Sequence, residues 1–242
     1  MIITSTNNDY IKYVNKLHQK KYRDEYKSFI IEGDHLVLEA YKTGYLKEII
    51  CLENSHFEFE NIKTTYVTKE VLDKLSDQTS GTNIIGICNY IDNQEINNNV
   101  ILLDGLQDPG NLGTIIRSAV AFNYDVILGD NTVDIYNSKV IRSTEGMIFH
   151  INFIKSNLVD YINKHEEYNF YIADMNKGLD VKKINDIHKH GIIVGNEGNG
   201  VSTDIRNMNT NYIHINQSKK CESLNVGVAA SIIMHELGDI NE

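Results

Sequence analysis

Three short stretches combine chemically useful side chains with spacings that put them at strand ends. The first is DPGNLGTIIRSA, residues 108–119, which holds Pro109, the only proline of the chain. Leu112, Ile115, Ile116, Ala119 and Val120 follow the i, i+3, i+4, i+7, i+8 spacing of one helix face. At about 100° per residue, Arg117 lies roughly 140° around that helix from Leu112 and points away from the packed stripe. Gly110 and Gly113 clear space at the helix start, and Asn111 has a side chain suited to cap it. An outward guanidinium at the carboxyl edge of a parallel sheet can serve a ligand. A surface arginine after an ordinary βα loop is the other reading of this stretch alone.

The second stretch is GIIVGNEGNGVS, residues 191–202. An apolar run feeds directly into Gly195, Gly198 and Gly200, with Glu197 among them. Such glycines permit positive φ and close approach of a ligand to the backbone. The spacing is not GxGxxG and no Walker lysine follows. A carboxylate in the loop suits a nucleoside or a cation better than a phosphate. The third stretch is CESLNVGVAASIIMHEL, residues 221–237. Ser223 is placed to cap a helix whose Val226, Ala229, Ala230 and Ile233 form a small apolar face. Ser223, Leu224 and Asn225 then surround free backbone N–H groups at the helix start. Seen alone, each glycine turn or capped helix also has a purely structural reading.

Alternating strand and helix patterns position these stretches. VILLD at 100–104 is a continuous apolar run suited to a buried parallel strand. A helix over 111–122 and a strand at 124–129 follow, then strands near 148–154, 168–174, 191–195 and 211–215. Helices are expected near 157–165 and 223–237. This alternation implies a mostly parallel sheet covered on both faces. Residues 92–99, DNQEINNN, lack apolar periodicity and read as a linker. They divide a small α/β unit, 1–91, from the larger unit, 100–242. The smaller unit shows helices at 8–21, 34–44 (with Asp34 as cap) and 68–76, and strands at 28–33, 47–52 and 84–91.

The chain of 242 residues carries a net charge of −10, which argues against a protein that coats nucleic acid but not against a local basic patch. Lys12, Lys16, Lys20, Lys21, Arg23 and Lys27 fall within 16 positions, interleaved with Tyr10, Tyr13, Tyr22, Tyr26 and His18. Cations for phosphates and rings for stacking make an RNA-binding composition; a solvated helix with packing aromatics is the alternative. The three cysteines form no CxxC pair, so neither zinc nor a disulfide framework is expected. No run is long enough to span a membrane, and the N-terminus does not read as a signal peptide.

Taken together, DGLQDPGNLGTIIRSA, IIVGNEGNGVS and ESLNVGVAASIIMHEL resemble the three ordered motifs of the SpoU (TrmH-type) RNA 2′-O-ribose methyltransferases of the SPOUT superfamily. The likeness covers about residues 98–240. KKYRDEYKSFIIEGDHLVLEA (20–40) and LSDQTSGTNIIGI (75–87) are similar to the substrate-binding domain fused ahead of many rRNA-modifying members. The resemblance implies an α/β fold: a Rossmann-like, mostly parallel sheet with a C-terminal trefoil knot, preceded by a small α/β RNA-binding domain. It implies S-adenosylmethionine as cofactor, a cytoplasmic homodimer, and methylation of a ribose 2′-hydroxyl in 23S ribosomal RNA, with transfer RNA as the alternative. By position it assigns Arg117, Asn111, Glu197, Ser223 and Asn225 to catalysis. Gly195, Glu197, Gly198, Ile215, Leu224, Asn225, Leu128 and Gly129 are assigned to the cofactor, and Lys20, Lys21 and Arg23 to RNA. No metal and no membrane are implied.

Three other classes are weighed against this. A non-catalytic RNA-binding paralogue would lose the site residues, yet all five are present. A nucleotide-dependent oxidoreductase would show GxGxxG after its first strand, and DGLQDPGN does not. A base-methylating relative would share the cofactor site and is separable only by the product.

Overall fold

The computed structural model describes residues 2–79, 81–91, 95–184, 189–208 and 210–238. The chain divides into two compact units, one of residues 1–92 and 134–150, the other of 93–133 and 151–242. The units are therefore not contiguous in sequence: residues 134–150 leave the second and pack with the first.

The first unit begins with β1 (Ile2–Ile3), α1 (Asp9–Lys16), α2 (Lys20–Tyr26), β2 (Ser28–Glu32) and α3 (Asp34–Lys42). It continues with β3 (Leu46–Leu52), β4 (Lys63–Val67), α4 (Lys69–Leu75) and β5 (Ile84–Asn89). Among the described residues its sheet has the order β1-β4-β3-β5-β2. Ile11, Val14 and Leu17 of the α1 region pack with Leu72 and Leu75 of α4 and with Ile50, Ile85 and Ile87 of the sheet. The helix expected over 8–21 is two helices. The Leu17 and His18 carbonyls accept from Arg23 Nη1 at 3.0 and 2.7 Å, which fixes the turn between them. Gly33, not Asp34, caps α3, at φ 100°. Strand β4, KTTYV, escapes the sequence pattern because only Val67 is fully buried and residues 63–66 carry polar groups and are exposed or partly buried.

In the second unit the elements are β6 (Asn99–Asp104), α5 (Pro109–Ala121) and β7 (Tyr124–Leu128). The chain then passes to the first unit, where α6 (Ser138–Ser143) lies, and returns for β8 (Phe153–Lys155), α7 (Leu158–Lys164), β9 (Asn169–Ala173) and β10 (Leu179–Asp180). Strand β11 (His190–Gly195), α8 (Thr203–Arg206), β12 (Asn211–His214) and α9 (Val226–Leu237) complete it. The sheet order is β10-β12-β9-β11-β6-β7-β8, and every described pairing is parallel. Val100–Leu103 of β6 are fully buried at its centre, as expected of an apolar run covered on both faces. The strand expected near 148–154 is shorter, because Met147–Phe149 form a 3₁₀ turn.

Of the expected linker, residues 92–94 lie outside the described residues. Residues 97 and 98 are held by the buried Asp125 of β7, whose Oδ2 accepts from both backbone N–H groups at 2.9 and 3.0 Å. No helix among the described residues is long and apolar enough to cross a membrane. The strand order reverses about β6, so the crevice at the carboxyl ends of β6, β11, β9 and β12 is where an open α/β sheet receives a ligand.

Candidate active site

That crevice is built from the motif loops. Asp108, not Asn111, caps α5: its Oδ1 accepts from Asn111 N at 2.8 Å, and Pro109 occupies the first helical position, where a missing N–H costs nothing. Asn111 is thereby moved one turn into the helix and is buried. Its side chain is freed for other partners. After β11, Asn196 and Gly200 exchange backbone hydrogen bonds at 3.1 and 2.8 Å, closing a tight loop. The loop needs a glycine at 195: a Cβ there would stand 2.1 Å from the Gly200 carbonyl carbon. Asn225, not Ser223, caps α9, accepting at Oδ1 from Gly227 N (2.9 Å) and Val228 N (3.2 Å).

One hydrogen-bonded chain joins the three motifs. Glu197 Oε1 accepts from Asp108 N (2.9 Å) and from Asn111 Nδ2 (3.0 Å), and its Oε2 accepts from Gln107 N (3.1 Å). Asn111 Oδ1 accepts from Asn225 Nδ2 at 2.8 Å. Burial works against the charge on Glu197. The hydrogen bonds from Asn111, from the backbone of Asp108, within Glu197 itself and from Gln107 outweigh it and hold the carboxyl below its ordinary range. The carboxylate also lies at the positive end of α5.

Beside this chain is a cavity of about 540 Å³, a size typical of small-molecule sites. Gly195, Glu197, Gly198, Ile215, Leu224, Asn225 and Ser223, all singled out in the sequence, line it. Leu128 and Gly129 do not; they end β7, where Gly129 N donates to Leu103 O at 3.0 Å. Asn111 reaches the site only through Glu197 and Asn225. Arg117 stands exposed on α5 with no partner among the described residues. Sequence reasoning missed Ala173 at the end of β9, Asp174 and Met175 after it, and Arg206 at the end of α8, which also line the cavity. The first three lie at a strand end beside β11, a signal available only once the strand order is known. Among the described residues no group of three or more His, Cys, Asp or Glu side chains is placed to hold a metal.

The basic segment of the first unit divides. Lys21 and Lys16 are exposed, their ammonium groups 5.5 and 5.2 Å from the Tyr22 ring, and Tyr22 stacks on Tyr26 with centroids 6.3 Å apart. Lys20 is exposed and pairs with Asp24 at 2.9 Å. Arg23 corrects the expectation of an RNA contact. It is 6% exposed, its Nη2 bonded to Asp134 at 2.6 Å and its Nη1 to two carbonyls, so its donors face the protein interior.

Comparison with known proteins assigns this architecture. Residues 98–235 match the SpoU rRNA methylase family, and residues 8–86 match the MRM3-like substrate binding domain. The chain belongs to the SpoU rRNA methylase family. A Bacillus subtilis relative, 23S rRNA (guanosine(2553)-2′-O)-methyltransferase RlmP, is 34% identical over 97% of this chain and 98% of its own length. The AdoMet-bound rRNA methyltransferase of Sinorhizobium meliloti superposes with a TM-score of 0.83 and 26% identity, covering 98% of this chain and 96% of that one. The SpoU methyltransferase AviRb of Streptomyces viridochromogenes shares the fold, with a TM-score of 0.85 at 18% identity over 95% of this chain and 97% of its own. S-adenosylmethionine is the methyl donor. The residues present fit that group: Asp174, Glu197 and Glu222 line the wall, which favours a cationic sulfonium, and Ile215, Leu224 and Ala229 give it apolar surface.

Proposed function

We propose that this chain methylates a ribose 2′-hydroxyl of large-subunit ribosomal RNA, using S-adenosylmethionine as donor. The observation that carries this reading is the Glu197–Asn111–Asn225 chain, which locks all three motifs around one cavity at the carboxyl edge of the sheet. Full-length similarity to a 23S rRNA 2′-O-methyltransferase supports the substrate class.

When bound, S-adenosylmethionine supplies a methyl carbon on a positively charged sulfur. Gly195, Ile215 and Leu224 hold the adenosine, and Glu197, Gly198 and Asn225 shape the wall beside it. Holding the reacting groups within the cavity aligns them and limits water around them, which supplies much of the acceleration for an in-line transfer. Arg117 projects off α5 to bind the phosphate next to the target ribose. Its guanidinium offsets the negative charge that grows on the 2′-oxygen as its proton leaves. A guanidinium barely deprotonates, so Arg117 acts as electrostatic support and not as the proton acceptor. Ser223 stands exposed at the cavity rim and contacts the incoming nucleotide.

The first unit docks the RNA through Lys20, Lys21 and the Tyr22–Tyr26 stack. The same reading places the enzyme in the cytoplasm as a homodimer, with the C-terminal segment threaded as a trefoil knot. Mapping ribose methylation in 23S rRNA from a strain lacking this gene tests the substrate. One methylation missing from that RNA and restored by the gene is expected; an unchanged methylation pattern contradicts the reading.

A further inference from the structure

The cavity holds one feature that the three motifs do not explain. Arg206 is the only basic side chain among the described residues that line it, facing a wall with three acidic side chains. The acids differ in how far they are committed. Glu197 spends both oxygens on N–H donors. Asp174 Oδ1 accepts from Asn176 N and Lys177 N at 3.0 and 3.1 Å, and Glu222 has no partner among the described residues. Arg206 likewise has none, although carboxylates stand on the same cavity wall.

Its guanidinium lies against the loop that ends β11, on its exposed side. A Cβ on Gly200, at φ +69°, would stand 2.7 Å from Arg206 Nη2, so the guanidinium occupies the space that this glycine leaves open. Helix α8 is anchored at its start, where Ser202 N donates to Asp104 Oδ2 at 2.6 Å, at the end of the central strand β6. The arginine thus lines the cavity wall, exposed and with its forked donors uncommitted among the described residues, and such a fork matches a carboxylate.

We propose that Arg206 is the receptor for the α-carboxylate of the amino-acid end of S-adenosylmethionine, while the acidic wall serves its cationic groups. This rests on the proposed function, since it takes S-adenosylmethionine as the ligand. A zwitterionic tail presents one anion to the cavity, and the cavity presents one guanidinium to it. The contact discriminates the intact amino acid from analogues that lack the carboxylate.

Calorimetry with S-adenosylmethionine and with its decarboxylated form, which keeps the amine and sulfonium, separates the possibilities. The wild-type protein is compared with Arg206→Gln and Arg206→Lys, each checked for an unchanged melting temperature. Arg206→Gln should weaken S-adenosylmethionine by about tenfold or more, the worth of a charge-assisted pair, and leave the decarboxylated form at its wild-type affinity. Arg206→Lys should recover part of the loss. Equal losses for both ligands would overturn the proposal, since the arginine would then act only on the shape of the loop. No loss for either also overturns it, and a reduced salt dependence of RNA binding in Arg206→Gln would then reassign the side chain to a phosphate. Failure of the folded wild-type protein to bind either ligand would instead overturn the cofactor assignment itself.

Discussion

Asn225 Nδ2 donates to Asn111 Oδ1 at 2.8 Å, and this bond ties the start of α9 to the first turn of α5. Its direction is set from both ends. Glu197 is acceptor-only, so Asn111 must present Nδ2 to it and Oδ1 to Asn225. The backbone N–H groups of Gly227 and Val228 are donor-only, so Asn225 must turn Oδ1 toward them and Nδ2 toward Asn111. Each asparagine is therefore needed as an amide.

Asn225→Asp tests that polarity. Aspartate caps a helix as well as asparagine does. It places a second acceptor against Asn111 Oδ1, however. The expected cost is about 1–3 kcal/mol in chemical denaturation, the range for a buried polar group left without its partner. Cofactor affinity should fall as well. Unchanged stability and affinity would show that the two asparagines do not act as a unit.

Glu197 gives the site a pH dependence. Its folded-state pKa lies below the ordinary value of 4.5, so on acidification the unfolded chain takes up the proton first. The stabilisation is complete above that ordinary value and is lost as pH falls through the folded-state pKa. Exposure of the side chain to solvent keeps the effect small. Glu197→Gln should lower the denaturation midpoint at neutral pH and shrink the wild-type advantage in acid. A difference between the two proteins that stays constant as pH falls would remove Glu197 from the linkage.

Much of this site was legible in the sequence, for identifiable reasons. The apolar runs of β6, β7 and β11 are buried on both faces, and such runs stand out without knowledge of the partner strands. Gly195, Glu197 and Gly198 sit at the end of β11, where the strand pattern located them, and Ser223, Leu224 and Asn225 sit at the start of α9, where the helix pattern did. Asn111 and Ser223 are the caps expected from sequence, but Asp108 and Asn225 serve, because several polar residues at each helix start are suited to the role. Arg23 read as a surface cation because sequence does not show Asp134 arriving from 111 positions away. Arg206 and the loop after β9 were invisible because the order of β12, β9 and β11 in the sheet brings them to the cavity.

The distinction between Arg23 and its lysine neighbours is itself testable. Arg23→Ala removes one partner of a nearly buried ion pair and should cost about 3 kcal/mol in denaturant unfolding. Lys20→Ala with Lys21→Ala should leave stability nearly unchanged while weakening RNA binding and flattening its salt dependence. An RNA affinity and salt slope equal to wild type in the double variant would return this segment to a solvated helix face.

Arg117 separates structure from chemistry. It is exposed and unpartnered among the described residues, so Arg117→Ala should shift stability by only about 0.5 kcal/mol. Cofactor binding should survive. Methyl transfer should fall by about a hundredfold or more, because charge stabilisation at the reacting oxygen is lost. Arg117→Lys should rescue poorly, since an ammonium cannot replace a planar fork. A folded Arg117→Ala protein that methylates at the wild-type rate would return the arginine to an ordinary surface role.

The central claim is that this chain methylates ribose in large-subunit ribosomal RNA. Purified protein is incubated with isotopically labelled S-adenosylmethionine and unmodified 23S rRNA, and the digested RNA is resolved into nucleosides by mass. The account predicts label in one 2′-O-methylated nucleoside, incorporated about a hundredfold or more slowly with Arg117→Ala. Label on a base, or no label from folded protein that binds S-adenosylmethionine, would contradict it.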